Sequence, residues 1–281
     1  MAEQGILYIV ATPIGNLGDM TPRAVETLQQ AALIAAEDTR HTRKLLNHFG
    51  LSTPCQAYHE HNEREQAPRL VERMRRGDVI ALVSDAGTPL VSDPGYHLVS
   101  EARAAGIAVV PVPGPCAMIA ALSASGLPSD RFVFEGFLPA KSAGRRQRLQ
   151  KLAEDSRTLI FYESTHRITD SLTDMADVFG AERLAVIARE LTKRFETIHA
   201  DSLENLLGWI ESDPNQRKGE FVVMVHGVEA SDGRDIDSDA EHILKILLDE
   251  LPVKQAAGLA AKITGLKKNA LYTFALTLQP E

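Results

Sequence analysis

Ser84-Asp85-Ala86-Gly87-Thr88-Pro89, running on to Ser92-Asp93-Pro94-Gly95, gathers carboxylates, hydroxyls and glycines directly after an apolar run, Val79-Ile80-Ala81-Leu82-Val83. The run reads as a buried strand. A strand that stops at a polar, Gly-rich loop and then meets a helix start is how open α/β sheets build small-molecule sites. Gly87 lets backbone approach a ligand closely, and Asp85 offers a carboxylate at the strand's carboxyl end. Asp93 then Pro94 reads as an N-cap and a first-turn proline. The same letters also fit an ordinary strand–turn–helix joint.

The pattern recurs at other strand ends. Leu7–Ala11 runs into Thr12-Pro13-Ile14-Gly15-Asn16, with Thr21-Pro22 opening a helix, and Leu33–Ala36 runs into Glu37-Asp38-Thr39-Arg40-His41. A short strand near Cys55 to Tyr58 leads to His59-Glu60-His61-Asn62-Glu63, and Ala108–Val112 leads to Pro113-Gly114-Pro115-Cys116-Ala117. If these strands are parallel, all five loops gather on one sheet edge, where ligands bind in such folds.

The chain has 281 residues, enough for one large or two medium domains. Its 44% hydrophobic and 24% charged residues are those of a soluble globular protein. No apolar run reaches membrane-spanning length, and Met1-Ala2-Glu3-Gln4 does not read as a signal peptide. Two cysteines, Cys55 and Cys116, imply no disulfide framework and fit a reducing cytoplasm. A net charge of −8 argues against a surface that coats nucleic acid all over, while leaving room for a local basic face.

Alternating strand and helix patterns over residues 1–126 predict an α/β domain with a parallel sheet. A hinge at Gly126–Asp130 leads into a second α/β domain, 127–228. Its strands are read at Phe132–Phe134, Thr158–Tyr162, Leu184–Ala188 and Glu220–Val225, separated by helical patterns. Residues 229–241, with Asp232, Asp235, Asp237 and Asp239, read as an exposed acidic linker, and 242–281 as a helical tail.

No G-x-G-x-x-G and no G-x-x-x-x-G-K-[ST] occurs, which disfavours a dinucleotide site, a P-loop and the common Rossmann-like methyltransferases. His59 and His61 would point the same way on a strand, yet no Cys or carboxylate spacing completes a zinc site, so no metal is expected.

Six runs in order carry a resemblance: Thr12–Leu17, Ala36–Thr42, Ser84–Pro89, Pro113–Ala117, Phe161–Arg167 and Ala188–Lys193. Together they resemble the tetrapyrrole-methylase superfamily over residues 5 to about 227. The first loop lacks the Gly-rich Gly-Asp-Pro element of enzymes acting on tetrapyrroles. The set is closer to the ribosomal RNA branch, which methylates the ribose 2′-oxygen of a decoding-centre cytidine in 16S rRNA. The resemblance implies two α/β domains, the second with a mixed sheet, and S-adenosylmethionine bound in the cleft between them. It also implies a homodimer and, as substrate, 16S rRNA within the small ribosomal subunit.

The cofactor loops would supply Pro13, Gly15, Asp85, Ala86, Gly87, Pro113, Gly114 and Ala117. By resemblance, Tyr162, Glu163 and Ala188 line the second-domain side near adenine and ribose. Methyl transfer is a direct displacement by a poorly nucleophilic hydroxyl, so positioning and a proton acceptor help. Asp38, Arg40, His59, Glu190 and Lys193 are the candidates for that work. Asp38 also suits a helix cap, and Glu190 with Lys193 suits a helix-start salt bridge.

RNA phosphates call for cations. Three clusters offer them: Arg40, Arg43 and Lys44; Lys141, Arg145, Arg146, Arg148 and Lys151; and Lys254, Lys262, Lys267 and Lys268 in a tail free of acids from Pro252 to Leu278. By resemblance, the segment Phe137-Leu138-Pro139-Ala140-Lys141 that opens the second cluster belongs at the cleft. A break at Gly265 between two helical patterns in the tail looks like a helix-turn-helix. The alternatives are a tetrapyrrole methyltransferase, which needs no basic tail, and a non-catalytic RNA-binding adaptor.

Overall fold

The structure, a computed structural model, describes residues 5–228 and 238–278. They fall into two compact units, 1–226 and 227–281. In the first half of the larger unit, strands and helices alternate. The strands are β1 (Ile6–Val10), β2 (Leu33–Ala36), β3 (Cys55–Ala57), β4 (Ile80–Val83) and β5 (Ala108–Val112). The helices are α1 (Pro22–Gln30), α2 (Thr39–His48), α3 (Glu63–Arg75), α4 (Tyr96–Ala104) and α5 (Ala117–Ser125).

All five strands are parallel, in the order β3-β2-β4-β1-β5. The short runs Leu-Ile-Ala-Ala and Ile-Ala-Leu-Val are buried on both faces, as parallel strands between two helix layers require. Leu33, Ala35, Ile80 and Leu82 meet Leu70, Met74, Leu98 and Ala102 of α3 and α4. Ile34, Ala36, Ala81 and Val83 face the other way, onto Ala24, Leu28 and Leu46 of α1 and α2. The five carboxyl-end loops therefore share one edge. Thr21 caps α1 by accepting from the Ala24 N–H, with Pro22 in the first turn.

The second sheet contains β6 (Phe132–Phe137), β7 (Thr158–Ser164), β8 (Leu184–Arg189), β9 (Thr197–Ser202) and β10 (Glu220–Val225), in the order β6-β7-β10-β8-β9. Only β6 and β7 run parallel, so the sheet is mixed. One face packs on α6 (Ser142–Gln150), α7 (Ile168–Phe179) and α8 (Leu203–Ser212). The other face, with Ile160, Val186, Ala188, Val222 and Met224, receives Ala121 and Leu122 of α5 and Ile14 from the first half. The shared core makes residues 1–226 one unit.

Three expectations change. The second half does not simply alternate strand with helix: β8 passes directly to β9, an edge strand whose polar Thr-Ile-His-Ala-Asp-Ser sequence hides it. The basic cluster on α6 is largely neutralised. Arg145 is buried against Asp174, Arg146 pairs with Asp174 and Asp177, and Arg148 pairs with Glu135. The acidic stretch is not all linker: α9 (Ser238–Glu250) takes in Asp239, Ala240 and Glu241, and residues 229–237 lie outside the described ones.

By itself, the smaller unit packs α9, α10 (Val253–Thr264) and α11 (Lys268–Thr277) around Leu244, Ala256, Ala257, Ala260, Leu271 and Ala275. Gly265, at φ +76°, ends α10 in the left-handed turn expected of a helix-turn-helix joint. Lys254, Lys262, Lys267 and Lys268 are all exposed. Among the described residues, no helix is long and apolar enough to cross a membrane.

Candidate active site

A cavity of about 360 Å³ opens where the carboxyl ends of β1 and β4 face the second sheet. From β1 the chain crosses past β4 to reach β2, and from β4 it crosses past β1 to reach β5, so the two connections leave for opposite edges. That divergence is where open α/β sheets leave a crevice. Thr12 and Gly87 are joined across it by two backbone hydrogen bonds, 2.8 and 3.0 Å. Thr12 Oγ1 donates to the Ser84 carbonyl, and Thr88 Oγ1 donates to the Pro115 carbonyl, tying three loops into one wall.

The loops after β2 and β4 also interlock. The Asp38 N–H donates to Asp85 Oδ1 at 3.0 Å, and the Asp85 N–H donates to Glu37 Oε2 at 3.3 Å. Glu37, Asp85 and Asp93 all line the cavity. Burial raises the Glu37 pKa, and the nearby Asp85, Glu60 and Asp38 add to it. Asp93 is pushed up to about 6, chiefly by burial and further by Glu37 and Asp85, against a hydrogen bond from Ser84. Asp93 is thus no N-cap. α4 starts at Tyr96 with Gly95 at the cap position, φ +140°, and the chain turns through left-handed Leu90 and Ser92 before it.

Of the expected cofactor residues, Asp85, Ala86, Gly87, Ala117, Tyr162, Glu163 and Ala188 line this one cavity. Pro13, Gly15, Pro113 and Gly114 stand outside its lining. Gly114 is packed on Ala11, 3.0 Å from where a Cβ would sit, which makes it a close-packing glycine. The Glu163 carboxylate is buried and accepts from Ser171 Oγ at 2.6 Å and from the Ser164 N–H, with Arg167 beside it. It is committed to joining β7 to α7. The Tyr162 hydroxyl accepts from the Met118 N–H at 3.2 Å, and burial pushes its pKa up to about 12.

The five candidates for work on the substrate lie outside the lining. Asp38 caps α2, accepting from the Arg40 N–H at 2.7 Å, and pairs with the Arg40 guanidinium at 2.7 Å. Those bonds hold its carboxyl far below the usual range. The Arg40 side chain remains 88% exposed. His59 sits after β3 at the far edge of the sheet, its Nδ1 buried without a partner and its ring edge-on to His61. Among the described residues no three potential ligands converge as a metal site.

Glu190 and Lys193 form an ion pair of 2.8 Å, in an irregular loop and not at a helix start. Glu190 and Thr192 are both left-handed, and buried Arg189 braces the loop by donating to the carbonyls of Lys218, Phe195 and Asn215. Lys193 Nζ also reaches Glu220, a cavity residue, at 2.8 Å. Its stem lies across Gly15, where a Cβ would fall 2.5 Å from Lys193 Cγ. Asp38, through Asp85, and Lys193, through Glu220, thus bear on the cavity from its rim, each with its ion-pair partner.

Residues 6–207 match the family described as Tetrapyrrole (Corrin/Porphyrin) Methylases. The chain belongs to the tetrapyrrole methylase family. Residues 234–279 match the RsmI C-terminal HTH domain. A relative from Pseudomonas aeruginosa, named ribosomal RNA small subunit methyltransferase I, is 60% identical over 276 residues, 98% of each chain. Among solved structures, the methyltransferase CobJ superposes with a TM-score of 0.59 at 22% identity, covering 80% of this chain and 95% of that one. A uroporphyrin-III C-methyltransferase from Thermus thermophilus, complexed with S-adenyl homocysteine, gives 0.54 at 19% identity, covering 80% and 98%. These two share the fold.

Glu37, Ser92, Asp93 and Glu220 line the cavity without being expected to, while Phe137 stands in it as the resemblance implies. Glu37 stands inside the Ala36–Thr42 run, and its position directly after β2 is the signal that marks it. Glu220, at the start of β10, reaches the cavity only through the second sheet's order, which no local pattern carries.

Proposed function

We propose that this chain transfers the methyl group of S-adenosylmethionine to the ribose 2′-oxygen of a cytidine in small-subunit ribosomal RNA. One observation supports it above the others. The described residues lining the cavity include Glu37, Asp85, Asp93 and Glu220 and no Lys, Arg or His. A carboxylate-rich recess fits a ligand bearing a sulfonium and an ammonium. It repels a multiply carboxylated tetrapyrrole, which needs cations at the same place. The 60% identical relative carries ribosomal RNA in its name.

When bound, S-adenosylmethionine supplies an electrophilic methyl carbon whose transfer discharges the sulfonium. Asp85 and Glu37 would hold the cationic end; the Thr12–Gly87 bridge fixes the loop of Asp85, and the Asp38–Asp85 and Asp85–Glu37 hydrogen bonds tie the loop of Glu37 to it. Ala117, Ala188 and Tyr162 would take the apolar and adenine side. Asp38 and Glu190, with carboxyls held low by Arg40 and, for Glu190, by Lys193 against its burial, are weak proton acceptors and fit positioning. Asp93, lifted toward neutrality, is better matched to accept a proton. Arg40, its side chain 88% exposed, would meet phosphates at the rim, while Lys193, paired with Glu190 and Glu220, would position the rim loop.

The reading extends to an assembled small subunit as substrate, a homodimer as the working form and the cytoplasm as its place, with the helical tail docking RNA. The boundaries 1–126 and 127–228 fit as two lobes, each with its own sheet. The test is tritium-methyl transfer to naked 16S rRNA, isolated small subunits and uroporphyrinogen. Label on a cytidine 2′-oxygen is expected. Label on uroporphyrinogen would favour the tetrapyrrole reading, and binding of RNA without transfer would favour an adaptor.

A further inference from the structure

The register of β6 against β7 shifts between Phe134 and Gly136, and Gly136 takes φ +64°. A bulge of this kind re-aims the side chain after it and is common beside active sites. The side chain after it is Phe137. Its ring lines the cavity and stands edge-on to Tyr162, with centroids 5.7 Å apart, yet it stays 53% exposed. A Cβ on Gly136 would fall 2.9 Å from Ser92 Oγ, so the bulge is seated against the loop after β4. A single exposed apolar side chain needs no explanation. One turned by a left-handed glycine to the mouth of a reaction cavity does.

We propose that Phe137 is the stacking platform for the base of the target nucleotide, a cytosine taken out of its stack. This rests on the RNA reading above. The ribose 2′-oxygen must come in line with a methyl carbon held inside the recess, and although a helix displays its 2′-hydroxyls along the minor groove, the flanking nucleotides keep any one of them out of a concave site. The target therefore arrives unstacked, with both faces of its base bare. The described lining has no cation to hold phosphate, so the grip there falls on the base and the hydroxyls. The other lining aromatics are committed. Phe221 is buried in the second sheet, and Tyr162 is fixed by Phe134 and the Met118 N–H. Phe137 alone among them offers a ring to an incoming ligand.

The test uses the full chain, isolated small ribosomal subunits and labelled S-adenosylmethionine, with Phe137→Ala, Phe137→Leu and Phe137→Trp. Stacking predicts that Ala and Leu lower kcat/KM for the subunits by about 10- to 100-fold, while Trp stays within about threefold of wild type. The calorimetric Kd for S-adenosylmethionine should stay unchanged in all three, as should the salt slope of subunit binding. Leu as active as wild type would overturn the platform, since apolar bulk would then suffice. Loss of cofactor affinity in Ala would also overturn it, placing the ring on the cofactor. No transfer by the wild-type chain would sink the RNA reading itself, an outcome visible before any variant is compared.

Discussion

Gly87 and Thr12 exchange two backbone hydrogen bonds, of 2.8 and 3.0 Å, between the loops that follow β4 and β1. The pairing needs Gly87 at φ +85°, a region that β-branched residues enter only under strain, and a Cβ there would meet Ile14 Cγ2 at 3.3 Å. Ile14 both lines the cavity and sits in the core under the second sheet. Gly87→Val should therefore open the wall between Asp85 and Ile14. Affinity for S-adenosylmethionine should fall by two orders of magnitude or more, on the scale of a site displaced by about 1 Å. Circular dichroism should stay native. Calorimetry showing unchanged affinity in the folded variant would disprove the role given to this bridge.

Lys193 reaches from a loop braced by Arg189 across Gly15 to Glu190 and Glu220. A methyl at position 15 occupies the space of the lysine stem, and the cheapest relief is for Lys193 to swing out. Because Gly15 also stands at φ +150°, where any side chain is strained, Gly15→Ala should do at least the damage of Lys193→Ala. Each should slow methylation roughly tenfold or more, with a smaller change in cofactor Kd. The double variant should be no slower than the slower single, because residues acting as one unit are not additive. Multiplying losses would show that the two act separately.

Asp93 gives the cavity a pH response. Its carboxyl ionises at about 6 in the ligand-free fold, against 3.8 ordinarily, with Glu37 and Asp85 as the like charges facing it and Ser84 donating to it. A cationic ligand favours the ionised form. Affinity for S-adenosylmethionine should rise as pH goes from 5 toward 7 and level off above about 6, by up to about tenfold for each pH unit by which the bound ligand lowers that ionisation. For stability the sign is opposite. The fold binds this proton more tightly than the unfolded chain does, so the group's contribution is full below its ordinary value and is lost as pH rises through about 6. Asp93→Asn should flatten both profiles. A wild-type affinity independent of pH between 5 and 7 would remove Asp93 from the ligand's surroundings.

Much of the fold and the site is legible in the sequence. Val79–Val83 announces a buried strand, and Asp85–Gly87 stands where a parallel sheet delivers its loops. Seven of the eleven residues expected at the cofactor do line one cavity. The rest depends on distant partners. Nothing near Arg145, Arg146 and Arg148 says that Asp174, Asp177 and Glu135 neutralise them. Asp93 carries the letters of an N-cap, but the turn through Leu90, Ser92 and Gly95 moves the helix start on and leaves the carboxyl in the cavity. Left-handed Leu90, Ser92, Glu190 and Thr192 bear side chains that seldom adopt that conformation, so no residue type signals the strain that shapes both rim loops.

The helical unit after residue 227 offers two surfaces, and one pair of measurements separates them. Its lysines at 254, 262, 267 and 268 are exposed and belong to the acid-free α10–α11 segment, whereas α9 carries Asp239, Glu241, Asp249 and Glu250. Ile246, Leu259, Ile263 and Leu276 are exposed as well, the apolar side chains that a dimer built on this unit would have to cover. If the lysines meet phosphates, changing all four to Gln should weaken RNA binding and flatten the plot of log affinity against log salt, by nearly one unit of slope for each phosphate no longer neutralised. Truncation after Val228 should leave S-adenosylmethionine affinity near normal, since the described residues that line the cavity all belong to the larger unit, while methylation of small subunits falls. A unit that only builds the dimer predicts a monomer on truncation and an unchanged slope for the lysine variant. Sedimentation fixes the first and the salt series the second. An unchanged slope together with an intact dimer after truncation would leave the unit with neither role.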